Sequence, residues 1–243
     1  MEIRGKRVLV TGGGSGIGLG IARALAAEGC RVAICGRNRE RLEQAAAAWQ
    51  GEPRILRRAC DVADRQSVRA MFDWIAEQFG GLDILVNSAG VNVARRTFDQ
   101  LDPADWDKML GTNASGAFYC LHFALPGMRR QGGGLVVNIS SIAGKRASKL
   151  AGTGYCASKS AMTALGAAVG LEESSHGIHV TNIYPGEVNT PILAERPVPV
   201  PPEKRAKMLL PEDIAAMVVA LARLHPRARV HELVITPLYQ EYV

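Results

Sequence analysis

Short apolar runs of strand length alternate with helix-length segments along the whole chain, and this alternation restricts the fold more than any other feature. The runs fall at residues 8–10, 31–35, 55–59, 84–86, 135–139, 179–183 and 233–235. Between them lie helical patterns at 16–28, 39–49, 65–79, 103–130, 154–174 and 211–224, with Asp102-Pro103 and Pro211-Glu212-Asp213 as start signals. Runs that are apolar throughout are strands covered on both faces, so the expected class is α/β, a doubly wound parallel sheet with helices on both sides. The 243 residues show no compositional break that would mark a second domain, which makes residues 1–243 one unit.

Two local patterns carry chemistry. The run Val8-Leu9-Val10 leads into Thr11-Gly12-Gly13-Gly14-Ser15-Gly16-Ile17-Gly18 and then a helix. A strand, a glycine turn and a helix start present free amides and the positive helix end to an anion, and the missing side chains let a pyrophosphate approach the backbone. The residues fit neither G-x-G-x-x-G nor a loop ending in Gly-Lys-Ser/Thr; the pattern is Gly-x-x-x-Gly-x-Gly. Farther on, Tyr155 and Lys159 stand four apart in a helical segment and so leave one face a turn apart. An ammonium beside a phenol favours the phenolate and lowers a pKa that is ordinarily about 10, so the pair is expected to act as an acid/base.

Together with Asn87-Ser88-Ala89-Gly90, Asn113, Ser141 and Pro185-Gly186, these patterns occur in the order found in the short-chain dehydrogenase/reductase family, which the chain resembles over nearly its whole length. Two departures stand out: the second motif more often reads Asn-Asn-Ala-Gly, and the interval from Ser141 to Tyr155 is one residue longer than is common. The resemblance implies a single NAD(P)-binding Rossmann-type domain that moves a hydride between a nicotinamide and a substrate carbon, interconverting a carbonyl and a secondary alcohol. It assigns proton exchange to Tyr155, a hydrogen bond to the reacting oxygen to Ser141, a relay water to Asn113, and both tuning of the tyrosine and a hold on the nicotinamide ribose to Lys159. For the cofactor it implies Gly12, Gly14, Ser15, Gly16, Ile17 and Gly18 at the pyrophosphate and Asp61 and Val62 at the adenine. Asn87, Ala89 and Gly90 would wall the adenosine side, and Pro185, Gly186, Val188 and Thr190 would meet the carboxamide and phosphate ends.

Cofactor choice turns on the residue after the second strand. There Gly36 replaces the acid that marks NAD users and Arg37 follows, so the expectation is NADP(H), with NAD(H) possible. The stretch Pro197-Val198-Pro199-Val200-Pro201-Pro202, inside residues 191–210, occupies the family's substrate lid. A small-residue face (Ala161, Ala164, Ala168, Gly170) suits packing on the sheet or, by resemblance, a homodimer or homotetramer. A 3-oxoacyl-thioester reductase and a non-catalytic NAD(P)-binding regulator are the alternatives. Arg95, Arg96, Lys145, Arg146 and Lys149 flank the motifs, where solvated surface competes with recognition of an anionic substrate.

A formal charge of +6 raises the question of nucleic acid, but the basic residues are scattered and lack interleaved aromatics, so no nucleic-acid partner is expected. No apolar run is long enough for a signal or a membrane span, and the five cysteines suit reduced, buried thiols; a cytoplasmic protein is expected. The histidines form no zinc-like spacing, and no metal site is expected.

Overall fold

The computed structural model describes residues 1–241. Its seven strands are β1 Arg7–Thr11, β2 Arg31–Gly36, β3 Leu56–Ala59, β4 Ile84–Asn87, β5 Gly134–Ile139, β6 Ile178–Pro185 and β7 Glu232–Ile235. They form one sheet in the order β3-β2-β1-β4-β5-β6-β7, and every pairing is parallel. The helices are α1 Gly16–Ala27, α2 Arg39–Ala47, α3 Arg65–Phe79, α4 Pro103–Leu110, α5 Gly116–Arg130, α6 Thr153–Glu172, α7 Pro202–Arg205 and α8 Pro211–Arg223.

Alternation along β1 shows how the sheet is covered twice. Val8 and Val10 join one core with Ile21 and Leu25 of α1, Leu42 of α2 and Ile214 of α8. Leu9, pointing the other way, joins Met71 and Ile75 of α3 and Leu121 and Met128 of α5. The expected single α/β domain is the one observed, and the strand order reverses between β1 and β4, where such sheets hold their ligands.

One expected element is divided. The helical pattern at 103–130 is interrupted by a π-helical turn, Gly111–Ser115, which buries Thr112 and Asn113. Such wide turns accommodate one extra residue per turn and gather at functional sites. The small-residue face of α6 is divided too. Gly166 and Gly170 pack on Asn182 and Val180 of β6, whereas Ala161, Ala164 and Ala168 are exposed. None of the described helices is long and apolar enough to cross a membrane.

Candidate active site

The carboxyl ends of β1, β4, β5 and β6 converge on a cavity of about 310 Å³. Gly12, Ser15, Gly16, Ile17 and Gly18 line one part of it, Ser88 and Gly90 the next, and Ser141, Tyr155, Lys159, Pro185, Gly186, Val188 and Thr190 the rest. Gly12 adopts φ +67°, and a Cβ there would come within 2.9 Å of the Ala89 backbone, so only glycine lets the loop meet the end of β4. Thr11 secures that junction: its hydroxyl accepts hydrogen bonds from the amides of Ser88 and Ala89, both at 3.0 Å. Ser15 caps α1 without a side-chain hydrogen bond, which leaves the first-turn amides for an anion.

Tyr155 and Lys159 project from the first turns of α6 as the spacing requires, with Nζ of Lys159 5.7 Å from the centre of the Tyr155 ring. The lysine is buried and donates to the Ile139 carbonyl at 2.8 Å. Ser141 caps the short turn that follows β5 and accepts a hydrogen bond from the Ala143 amide at 3.1 Å, leaving its own hydrogen for the tyrosine oxygen. The electrostatics differ from the expectation of an acidified phenol. Burial pushes Tyr155 up to about 12 against the opposing hydrogen bond from Ser141. Burial also brings Lys159 down to about 8. Desolvation therefore dominates both groups when the protein's own groups act alone.

Asn113 stands in the wide turn with no exposure. Its amide donates to the Val91 carbonyl and to Ser158 Oγ, both at 2.9 Å, and accepts from the Val91 amide at 2.8 Å. The side chain is thus a strut, and it has little capacity left for the relay water expected of it. Gly90 packs beside both, since a Cβ there would lie 3.3 Å from Lys159 Nζ and 3.6 Å from Asn113 Oδ1.

Several expected cofactor residues lie outside this cavity wall. The Asn87 side chain is buried in the sheet and donates to Asn138, which donates to Asn182, each at 3.0 Å. These three asparagines are register partners across β4, β5 and β6, which aligns them as a ladder. The Oδ1 of Asn87 is the one buried side-chain atom without a hydrogen-bond partner among the described residues. Gly14, Asp61, Val62, Ala89 and Arg37 also stand back from the wall. Asp61 closes a local turn on the Ala63 amide at 3.0 Å, and Val62 packs on the start of α5 at Gly116. Arg37 is exposed, just before the Asn38 cap of α2.

Of the basic residues that flank the motifs, Arg96 lines the far end of the cavity, together with Ser148, Leu150, Arg196 and Gln240, which no motif marks. Glu187, in the turn after β6, is 8% exposed and binds Arg196 at 2.7 Å, Lys204 at 3.2 Å and the Tyr239 hydroxyl at 2.6 Å. Burial pushes its carboxyl up, but hydrogen bonds from Tyr239, Arg196 and Lys204 outweigh that and hold it below its ordinary value. One carboxylate thus moors the 191–210 segment and the C-terminal stretch to the site.

The comparisons agree with this geometry. The family model described as short chain dehydrogenase matches residues 6–198. An uncharacterised oxidoreductase of Staphylococcus aureus (strain MW2) is 36% identical over 235 residues, covering 96% of this chain and 97% of its own. An alcohol dehydrogenase from the archaeon Thermococcus sibiricus, solved with 5-hydroxy-NADP, superposes with a TM-score of 0.88 at 30% identity, covering 98% of this chain and 99% of that one. A 3-ketoacyl-(acyl-carrier-protein) reductase from Brucella melitensis, solved with NADH, gives 0.86 at 25% identity over 96% and 98%. The glycine cradle, the sheet order and these likenesses converge on one conclusion: the chain belongs to the short-chain dehydrogenase/reductase family of NAD(P)-dependent oxidoreductases.

Proposed function

We propose that the protein uses NADP(H) to interconvert a carbonyl and a secondary alcohol, with Tyr155 as the acid/base. The observation that carries this reading is that Tyr155, Ser141 and Lys159 line the same cavity as the glycine loop. A bound nicotinamide supplies the hydride chemistry. The residues present fit such a group: the glycine loop offers side-chain-free backbone and uncapped amides to a pyrophosphate. Gly16 brings that loop close to Thr190, since a Cβ there would be 3.3 Å from the threonine Cβ.

Tyr155 hands a proton to the substrate oxygen, and Ser141 steadies the charge that develops there. With its pKa pushed up to about 12, the phenol carries its proton at neutral pH and can act as the donor. Lys159 holds the nicotinamide ribose and, as an ammonium, lowers the cost of the phenolate left behind. With both ends of the Asn113 amide engaged, a relay water falls to the main chain of the 111–115 turn. Residues 191–210 act as the substrate lid, hinged on Glu187.

The cofactor preference rests on Arg37 and on a second arginine beside it. Arg41 Cβ lies 3.7 Å from where a Gly14 Cβ would stand, which roots a second arginine beside the glycine loop, and a guanidinium suits a 2′-phosphate. The same reading places a homodimer or homotetramer in the cytoplasm, with the exposed alanines of α6 as the contact.

Oxidation of NADPH by a carbonyl panel tests the reaction. Tyr155→Phe should lose at least about 10²-fold in turnover with cofactor affinity little changed, and near-full turnover by this variant would sink the mechanism. Titrating both reduced cofactors into wild type and Arg37→Ala tests the preference. NADPH affinity should fall roughly ten- to over a hundredfold and NADH affinity far less. Equal losses, or tighter binding of NADH by wild type, would overturn the assignment.

A further inference from the structure

We propose that Arg96 recognises a carboxylate on the substrate, so that the natural substrate is a small hydroxy or oxo acid; this rests on the oxidoreductase reading above. Adjacent in sequence, Arg95 is exposed, whereas Arg96 is 5% exposed and lines the cavity. The fold makes room for it. At the cap of α6, Gly152 adopts φ +83°, and a Cβ there would lie 2.6 Å from Arg96 Cβ.

The guanidinium is hydrogen-bonded but not neutralised. It donates to three main-chain carbonyls: Val93 at 2.7 Å, Leu150 at 3.1 Å, and Glu195. Those bonds use three of its five N–H groups and leave two, the number that a carboxylate takes in a paired fork. Among the described residues it has no ion pair; the exposed Glu195 carboxylate acts on it only at a distance.

Burying a guanidinium without a counter-charge is costly, and the surroundings add to the cost. Burial lowers the Arg96 pKa, and the adjacent Arg196 lowers it further. The charged groups lining the cavity are Arg96, Lys159, Arg196 and Glu187, and the one carboxylate is already shared by Arg196 and Lys204. With Lys159 assigned to the ribose, Arg96 is the cation without a match. It lies close enough to Tyr155 for their charges to interact, so an anion on Arg96 would belong to the molecule whose oxygen meets the tyrosine.

The test is NADPH oxidation by 2-oxobutanoate, 3-oxobutanoate and 4-oxopentanoate and by the methyl ester of each, in wild type, Arg96→Met and Arg96→Lys. At least one acid should be turned over with a higher kcat/KM than its ester. Arg96→Met should lower that value for the acid by roughly ten- to a hundredfold, through KM, while the ester stays within about threefold. Arg96→Lys, which keeps the charge but not the fork, should fall between. Equal losses for acid and ester would show that Arg96 only braces the loops, and would overturn the proposal. Preference for the ester in every pair would overturn it too, while the oxidoreductase reading stood. Binding of the same acids and esters to the NADP⁺-loaded Tyr155→Phe variant is measured in parallel. Acid binding no tighter than ester binding overturns the proposal without any appeal to turnover. Acid binding that needs Arg96, with no acid or ester reduced by wild type, supports the carboxylate site and counts against the oxidoreductase reading instead.

Discussion

The two ends of the cavity are built from different materials. At the cofactor end the working parts are backbone amides, missing side chains and one hydroxyl: the glycine loop, the uncapped start of α1, and Thr11 holding two amides. At the end proposed for the substrate they are charges brought from distant parts of the chain: Arg96 on three carbonyls, and Glu187 shared by Arg196, Lys204 and Tyr239. The first construction depends on volume and is indifferent to pH. The second depends on ionisation, so its contribution to stability should carry a pH signature. Lys159 stands where the two meet and should show the strongest signature of all.

Lys159→Met gives the largest expected effect. Burial holds the native pKa at about 8, below its ordinary 10.5, so at neutral pH the folded state carries an ammonium it would rather lose. The variant should be more stable than wild type at pH 7 by up to about 3 kcal/mol while losing activity. Because the unfolded chain binds more protons between those two values, wild type regains stability as pH rises from about 8 to 10.5, and the difference should shrink over that window. Urea denaturation at pH 7 and pH 10 would show this, and a difference independent of pH would mean that burial does not lower the lysine pKa below its unfolded value.

Glu187→Gln comes next. It should cost about 2 kcal/mol at pH 7, because Arg196 is left without its counter-charge. The native carboxyl lies below its ordinary 4.5, so the stabilisation is complete above that value and is lost as pH falls through the lower native pKa. Melting temperatures of wild type and variant should therefore approach each other in acid. Parallel curves would place the substrate end in the same class as the cofactor end.

The smallest effect belongs to Thr11→Val, which removes the acceptor for the Ser88 and Ala89 amides without changing shape. The half-buried amides can recover some water, so the loss should be about 1 kcal/mol. It should be the same at pH 5 and pH 9 in chemical denaturation; a loss that varied with pH would blur the distinction between the ends.

The same division decides what was legible in the chain. The sheet, the glycine loop and the Tyr155–Lys159 pair were readable because their determinants are local: apolar runs, a glycine cluster beside a strand, and a four-residue spacing on a helix. Glu187 gave no such signal. It reads as a turn residue after Pro185-Gly186, and its partners Lys204, Tyr239 and Gln240 lie 17, 52 and 53 positions away. Arg96 was indistinguishable from its exposed neighbour Arg95, since a buried cation and a solvated one share the same letter. The pKa of Tyr155 was misjudged for a related reason: spacing shows that an ammonium is near, but only burial shows what desolvation costs the pair.

The wide turn at Gly111–Ser115 also has a meaning in terms of insertions and deletions. It is equivalent to one surplus residue absorbed between α4 and α5. Deleting a single residue there would let ordinary helical bonding run through, with α4 and α5 keeping nearly the same faces while the residues of the turn itself are re-aimed. Asn113 would swing away from Val91 and Ser158, and the strut behind Lys159 would be lost. Many substitutions could be accepted between Pro103 and Arg130, but the number of residues there is a counted length, and a site that survives changes of letter would fail on a change of count.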